Sequence, residues 1–410
     1  MIHKNRQDKL LSQLDDGALV IISTNPEQLR NGDVHYPFRP HSDFWYLTGF
    51  TEPQAVAVFS KKHGAIFLRE KDQAREIWDG ERLGVADAAK TLGVNRAYPI
   101  SALKAQLTSL IKDASTVYYD FKPCPLDDEI IECLSGTPTQ SLSQYLHEMR
   151  LHKDEHEIAL MQKAADISVQ AHQMAMHQTK PDLFEYEVAS VFDANFKKHN
   201  AQHAYTPIVA GGKNACILHY INNDQVLSDG DLLLIDAGCE VEGYASDITR
   251  TFPVNGKFSQ AQRKIYQIVL DAQLAAIDCI QPGTLVTKPH QVATQIIRQG
   301  LIDLGILQAK GDVSQFYMHG TGHWLGLDVH DVGDYQQDQK ARQYEMCMIT
   351  TVEPGIYIRK NDKIDAQYWD IGVRIEDDVL LTENGNHVLT KNLAKSIDDI
   401  EALMRKPLHT

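Results

Sequence analysis

Two stretches of this chain run an apolar segment straight into an acid, then a small residue or proline, then glycine. They are LLLIDAG at 232–238, with Asp236, and MITTVEPG at 348–355, with Glu353. Each is followed by a second strand-like stretch that carries acids: SDITRTF with Asp247, and VRIEDDVLL with Glu376. Strands this apolar belong in a core, and an ionised carboxylate at a buried strand end is costly to desolvate unless it is paired. Several such acids require cations, so the fold must bring strand ends together. The turn around Glu242 and Gly243 lets Asp236 and Asp247 meet across a hairpin. In VRIEDD the period of two puts Arg374 and Glu376 on one face, which gives one acid a counter-charge. The likeness of the two segments suggests a duplicated half-domain whose acids face one cleft.

A third stretch supplies nitrogen. HGTGHWLGLDVHD at 319–331 holds His319, His323 and His330. Four carboxylates and one imidazole form a hard, oxygen-rich donor set, suited to manganese, magnesium or cobalt and not to a thiolate-bound structural zinc. Two divalent ions balance four carboxylates, and a hydroxide bridging them fits because each ion acidifies the water they share. His319 and His323 are separated by Gly-Thr-Gly and not by Glu-x-x on a helix, so a loop ligand is expected.

The chain has 410 residues, 43% of them apolar, which is enough for two cores. Short apolar strands (ALVIIS, AVAVFS, AIFLRE) and a helix from about 71 make residues 1–150 a small mixed α/β domain. Near 150 the pattern changes. Asp154 and Glu157 form a capping box that opens a helix through about His177, and further helices at about 182–199, 258–280 and 287–304 alternate with strand pairs. Residues 151–410 therefore read as antiparallel sheet covered by helices, which makes the chain α/β (α+β) in class. A formal charge of −15 without basic runs argues against nucleic acid or an anionic membrane as partner. The N-terminus lacks a signal-like apolar stretch, and no segment approaches the ~20 residues of a membrane span, so a cytoplasmic location is expected. Six scattered cysteines (Cys124, Cys133, Cys216, Cys239, Cys279, Cys347) read as buried free thiols.

HGTGHWLGLDVHD fits the signature of the proline-peptidase branch of the pita-bread metallopeptidases at every position, and IDAG, SDITRTF, VEPGIYI and VRIEDD match its other motifs in order. HSDFWYLTGFTEP at 41–53 and EIWDGERLG at 76–84 resemble the bacterial aminopeptidase P family in particular. The resemblance implies a pita-bread catalytic domain with a curved antiparallel sheet. It implies five ligands, Asp236, Asp247, His323, Glu353 and Glu376, with Asp247 and Glu376 bridging two manganese ions. By the same resemblance His219, His319 and His330 line the substrate site, Glu353 is general base, and Arg374 steadies the bridging carboxylate and the leaving proline side. Tyr357 is a further contact, and Asp33 and Trp78 cap a neighbouring subunit's cleft in a homo-oligomer. The implied reaction releases the first residue from peptides with proline in second position, through the metal-bridging hydroxide. An Xaa-Pro dipeptidase and a non-catalytic binding module of the same fold are the alternatives. One departure stands out: the family's Pro-Gly before the VEPG strand is Met346-Cys347 here, which puts the local turn in question.

Overall fold

The structure, a computed structural model, describes residues 2–122, 125–134 and 136–405. The chain forms two compact units, residues 1–149 and 150–410. In the first, the strand Ala18–Ser23 is buried along its whole length, pairing antiparallel with Val56–Phe59 and parallel with Thr116–Tyr118. It sits inside a six-stranded mixed sheet, as expected of a run such as ALVIIS with no polar face. Leu103, Leu107 and Ile130 from two helices pack on that sheet. The helix expected from about 71 is Gln73–Asp79, capped by Asp72 accepting from the backbone N–H of Ala74 and Arg75.

The second unit opens with the capping box read from the sequence. The Asp154 carboxylate accepts from the Glu157 N–H at 2.9 Å, the Glu157 carboxylate accepts from the Asp154 N–H at 2.8 Å, and the helix runs Glu155–Gln178. Helices Glu185–Lys198, Gln260–Asp278 and Lys288–Asp303 follow. Among the described residues every strand pairing of this unit is antiparallel, in short sheets of two or three strands. Between Cys239–Val241 and Tyr244–Ala245, Glu242 and Gly243 both have positive φ, 51° and 85°, the backbone that a two-residue hairpin turn requires.

The expectation for the thiols holds in part. Cys216 and Cys239 are buried, Cys133, Cys279 and Cys347 are half-buried, all five are unbonded to one another, and Cys124 lies outside the described residues. The turn at Met346-Cys347 forms without the family's glycine, with Cys347 at φ 66°. Its N–H donates to the Leu381 carbonyl at 3.0 Å and its carbonyl accepts from the Lys153 N–H at 2.9 Å, so hydrogen bonds on both sides hold the left-handed conformation. A Cβ is strained there, and Cys347→Gly is expected to stabilise the protein by about 1 kcal/mol. Denaturant titration checks it against Cys347→Ala, which keeps the Cβ; an equal gain from alanine would rule out backbone strain as the cause.

Candidate metal centre

The two acid-ended strands become two hairpins of the same plan. Leu232–Asp236 pairs with Thr249–Pro253 so that Asp236 lies opposite Thr249, with Asp247 two residues upstream of it. Ile349–Val352 pairs with Asp377–Thr382 so that Val352 lies opposite Asp377; Glu353 follows the first strand and Glu376 precedes the second. The hairpins are then locked together. The Glu376 N–H donates to the Thr249 carbonyl at 3.0 Å, and the fully buried Arg250 guanidinium donates to the Glu376 carbonyl at 2.5 Å and to Asp377 at 2.7 Å. Backbone packing at the motifs is tight enough to demand glycine. A Cβ on Gly238 would collide with the Ser246 carbonyl, and one on Gly322 with the Thr351 carbonyl.

The result is one cleft of about 300 Å³ whose walls include Asp236, Asp247, His323, Glu353 and Glu376 together with His219, His319, His330 and Arg374. Donor atoms of Asp247, His323 and Glu376 lie within 4.8 Å of one another. The His323 Nδ1 faces the Trp324 carbonyl at 3.0 Å, which aims Nε2 at Asp247, 3.4 Å away, and at Glu353, 3.6 Å away. A backbone carbonyl on the far nitrogen is the usual way a ligand imidazole is oriented. Asp33 and Trp78 belong to the other unit: Asp33 lies in the turn between Leu29–Asn31 and Val34–His35, and Trp78 is 83% exposed on Gln73–Asp79.

Arg374 departs from its expected contact. Its guanidinium pairs with Asp236 at 2.6 Å and reaches Glu376 only through Thr249, whose hydroxyl accepts from Arg374 Nε at 3.1 Å and donates to Glu376 at 2.6 Å. The strand ends at Arg374, so the strict alternation that put Arg374 and Glu376 on one face stops before Glu376. Arg374 also donates to the Tyr357 hydroxyl at 3.0 Å, leaving the hydroxyl proton for His319 Nε2 at 2.8 Å, while His319 Nδ1 lies 2.7 Å from the Gly320 carbonyl. That chain suits a neutral His319 protonated on Nδ1. Tyr205 went unnoticed in the sequence, yet its hydroxyl lies 2.6 Å from Asp236 and 2.5 Å from Asp247. It stands in no motif, and only the fold reveals it.

The electrostatics mark the donors as a cation site. Burial, reinforced by Asp247, Glu353 and Asp236, pushes the Glu376 carboxyl well above the usual range. Burial lifts Glu353 to about 7 and raises Asp236 against the pull of Arg374. Burial works against a charged His323, but the hydrogen bond and charge of Asp247 outweigh it and raise the imidazole to about 9. Asp247 is in turn held low: His323 outweighs its burial. Protons on His323 and the acids thus take the place of positive charge that the donors demand, and divalent cations fit them. Burial, then Arg374, lowers His319 to about 4, and burial with His323 lowers His330, so both imidazoles are neutral near pH 7.

Comparison with known proteins agrees with this geometry. Residues 159–383 match the model of metallopeptidase family M24, and residues 3–118 match the aminopeptidase P N-terminal domain. The Xaa-Pro aminopeptidase of Haemophilus influenzae is 47% identical, the match covering 98% of this chain and 96% of that protein. The structure of Pseudomonas aeruginosa aminopeptidase PepP superimposes with a TM-score of 0.95 at 42% identity, covering 98% of this chain and 99% of that one. A zinc-substituted Escherichia coli aminopeptidase P in complex with product gives 0.94 at 43% identity, covering 98% and 97%. With both domains matched in order and four carboxylates and a histidine lining one cleft at the motifs that carry the family, the chain belongs to the aminopeptidase P branch of metallopeptidase family M24.

Proposed function

We infer that the protein is a metal-dependent Xaa-Pro aminopeptidase, releasing the first residue of peptides with proline in second position. The observation that carries this reading is the convergence of five metal donors and three non-ligand histidines on one cleft. Asp236, Asp247, His323, Glu353 and Glu376 would hold the divalent ions. The oxygen-rich set favours manganese over softer ions. When bound, the ions supply Lewis acidity and a water acidic enough to be ionised near neutral pH.

The chain's own groups do the rest. The bond before proline is a tertiary amide with no N–H, so gripping its backbone as a strand is poor recognition; a shaped pocket is needed. His219, His319 and Tyr357 shape it, and Arg374 holds Tyr357 and His319 in place from behind. Glu353, on the cleft wall between His319 and His323, takes a proton from the attacking water and returns it to the proline nitrogen, which must be protonated to leave. His330, neutral and beside His323 with ring centroids 4.4 Å apart, donates to the oxygen that develops charge.

Residues 151–410 are then the catalytic domain, and residues 1–150 serve assembly. Exposed Trp78, with Asp33 on the exposed hairpin, suits a role in capping the cleft of a second copy in a homo-oligomer, and a cytoplasmic location is proposed with it. No helix among the described residues is long and apolar enough to cross a membrane.

The short connection from Val332 to Thr351 offers little to close the cleft beyond proline, which favours an aminopeptidase over a dipeptidase. With manganese, Xaa-Pro-Yaa and longer peptides should be cleaved faster than bare Xaa-Pro. Replacing the second-position proline by alanine, or acetylating the α-amine, should stop cleavage. Measured kcat/KM for matched di-, tri- and pentapeptides decides it: a dipeptide preferred tenfold, about 1.4 kcal/mol, would make this a dipeptidase.

A further inference from the structure

Beside the metal cleft lies a second cavity of about 390 Å³, within the roughly 300–1,000 Å³ usual for ligand pockets. The two share Leu218 on their walls, and Tyr357, hydrogen-bonded to His319 and Arg374 of the metal cleft, lines the second. Phe316 and Met318, directly upstream of the histidine stretch, give it apolar walls. Its charged lining residues are Arg359 and Lys360, and among the described residues no acid lines it. In a chain of formal charge −15 that local excess of positive charge is distinctive. Arg359 donates to the Cys216 carbonyl at 3.0 Å, and the Lys360 ammonium rests 5.1 Å from the centre of the Trp369 ring, so both side chains are held.

We propose that this cavity binds the part of the peptide beyond proline and that Arg359 and Lys360 select a carboxylate there, making the preferred substrates acidic at their downstream end. The inference rests on the reading of the cleft as an Xaa-Pro site with proline against His319 and Tyr357. Arg359 follows Tyr357 by two residues in extended chain, some 6–7 Å along, and the period of two puts both on one side. A substrate leaving proline at about 3.3–3.6 Å per residue comes level with Arg359 and Lys360 two or three residues later. The carboxylate is the C-terminus of a short peptide or an Asp or Glu side chain of a longer one.

The test compares kcat/KM for Ala-Pro-Gly-Gly-Glu-amide, its Gln-amide and Lys-amide counterparts, and free-acid Ala-Pro-Gly-Gly, using the full chain loaded with manganese. The Glu peptide should exceed the Gln peptide by about two- to fivefold, and the Lys peptide should fall below it, the size of exposed charge contacts. The preference should fade as salt rises, and Lys360→Glu should reverse the order of the Glu and Lys peptides. Arg359→Gln, where the lost Cys216 contact could disturb the fold, is the second variant. A gain for the free acid alone identifies the terminal carboxylate as the source, and a gain for the Glu-amide identifies the side chain. Equal values for all peptides, unchanged in Lys360→Glu, would overturn the proposal. Direct binding of Pro-Gly-Gly-Glu-amide against Pro-Gly-Gly-Gln-amide judges the cavity independently: equal affinities overturn it, whereas failure to cleave any of the peptides counts against the Xaa-Pro reading itself.

Discussion

Glu376→Gln should abolish peptide hydrolysis and, in the metal-free protein, raise the melting temperature. The two effects have one cause. Glu376 is 2% exposed and faces Asp247, Glu353 and Asp236, so its carboxyl is pushed well above the usual 4.5. A carboxyl with a raised folded-state pKa holds a proton that the unfolded chain releases. Its contribution to stability is intact below about 4.5, declines as pH rises past the unfolded value, and is lost in full once the folded-state pKa is passed. Glutamine keeps the shape, can still accept from the Thr249 hydroxyl, and has no proton to lose. The melting temperature of the variant in chelator should therefore match wild type near pH 4.5 and exceed it increasingly toward pH 8, by roughly 2–4 °C for each kcal/mol relieved. With manganese added the order should reverse, since the variant binds the ions poorly and forfeits the stabilisation that ligand binding confers. Activity should fall by more than about 10³-fold, beyond the effect of losing one transition-state donor. Full turnover at saturating manganese, or a lower melting temperature than wild type in chelator at pH 8, would show that Glu376 is not a ligand in a repulsive cluster.

Asp331→Ala should strongly destabilise the second unit. The Asp331 carboxylate, 1% exposed, takes hydrogen bonds from Arg150 at 2.5 Å and Lys153 at 3.0 Å, themselves 2% and 1% exposed. Burial would raise its pKa, but Lys153 and Arg150 outweigh that and hold it below the usual 3.8. Removing it takes a fully buried counter-charge from both Lys153 and Arg150, and the Asp328 carboxylate that also pairs with Arg150 is itself half-exposed. Breaking a buried pair in this way costs about 3–5 kcal/mol. A calorimetric transition roughly 6–20 °C lower is expected. Because its folded pKa is depressed, the wild-type contribution is present above about pH 4 and is lost as pH falls through the folded value, so the gap between the proteins should shrink in acid. Asp331 adjoins His330, so turnover should fall as well. An unchanged transition would mean that the ion pairs contribute nothing net.

The chemical character of the site was legible in the sequence because it rests on local facts. An acid closing an apolar strand is costly wherever it is buried, and Gly-Thr-Gly between two histidines excludes a helix. Those features pointed to four carboxylates and one loop histidine, the divalent character of what they would bind and the antiparallel setting; the resemblance to the family picked His323 from the three. The capping box at Asp154 is equally local, since a cap is a contact between neighbours in the chain. What lay beyond the sequence are the contacts set by which strand lies beside which. Asp236 and Arg374, 138 residues apart, pair only because Leu232–Asp236 and Ile371–Arg374 converge, so the arginine pairs directly with Asp236 and reaches Glu376 through Thr249. Tyr205 reaches Asp236 and Asp247 for the same reason. Asp331 finds Arg150 and Lys153 across 181 and 178 residues, a closure that no period or spacing records. The sequence determined which groups need partners; only the tertiary structure decided which partners they received, because that choice depends on strand order and on burial, which are properties of the whole chain.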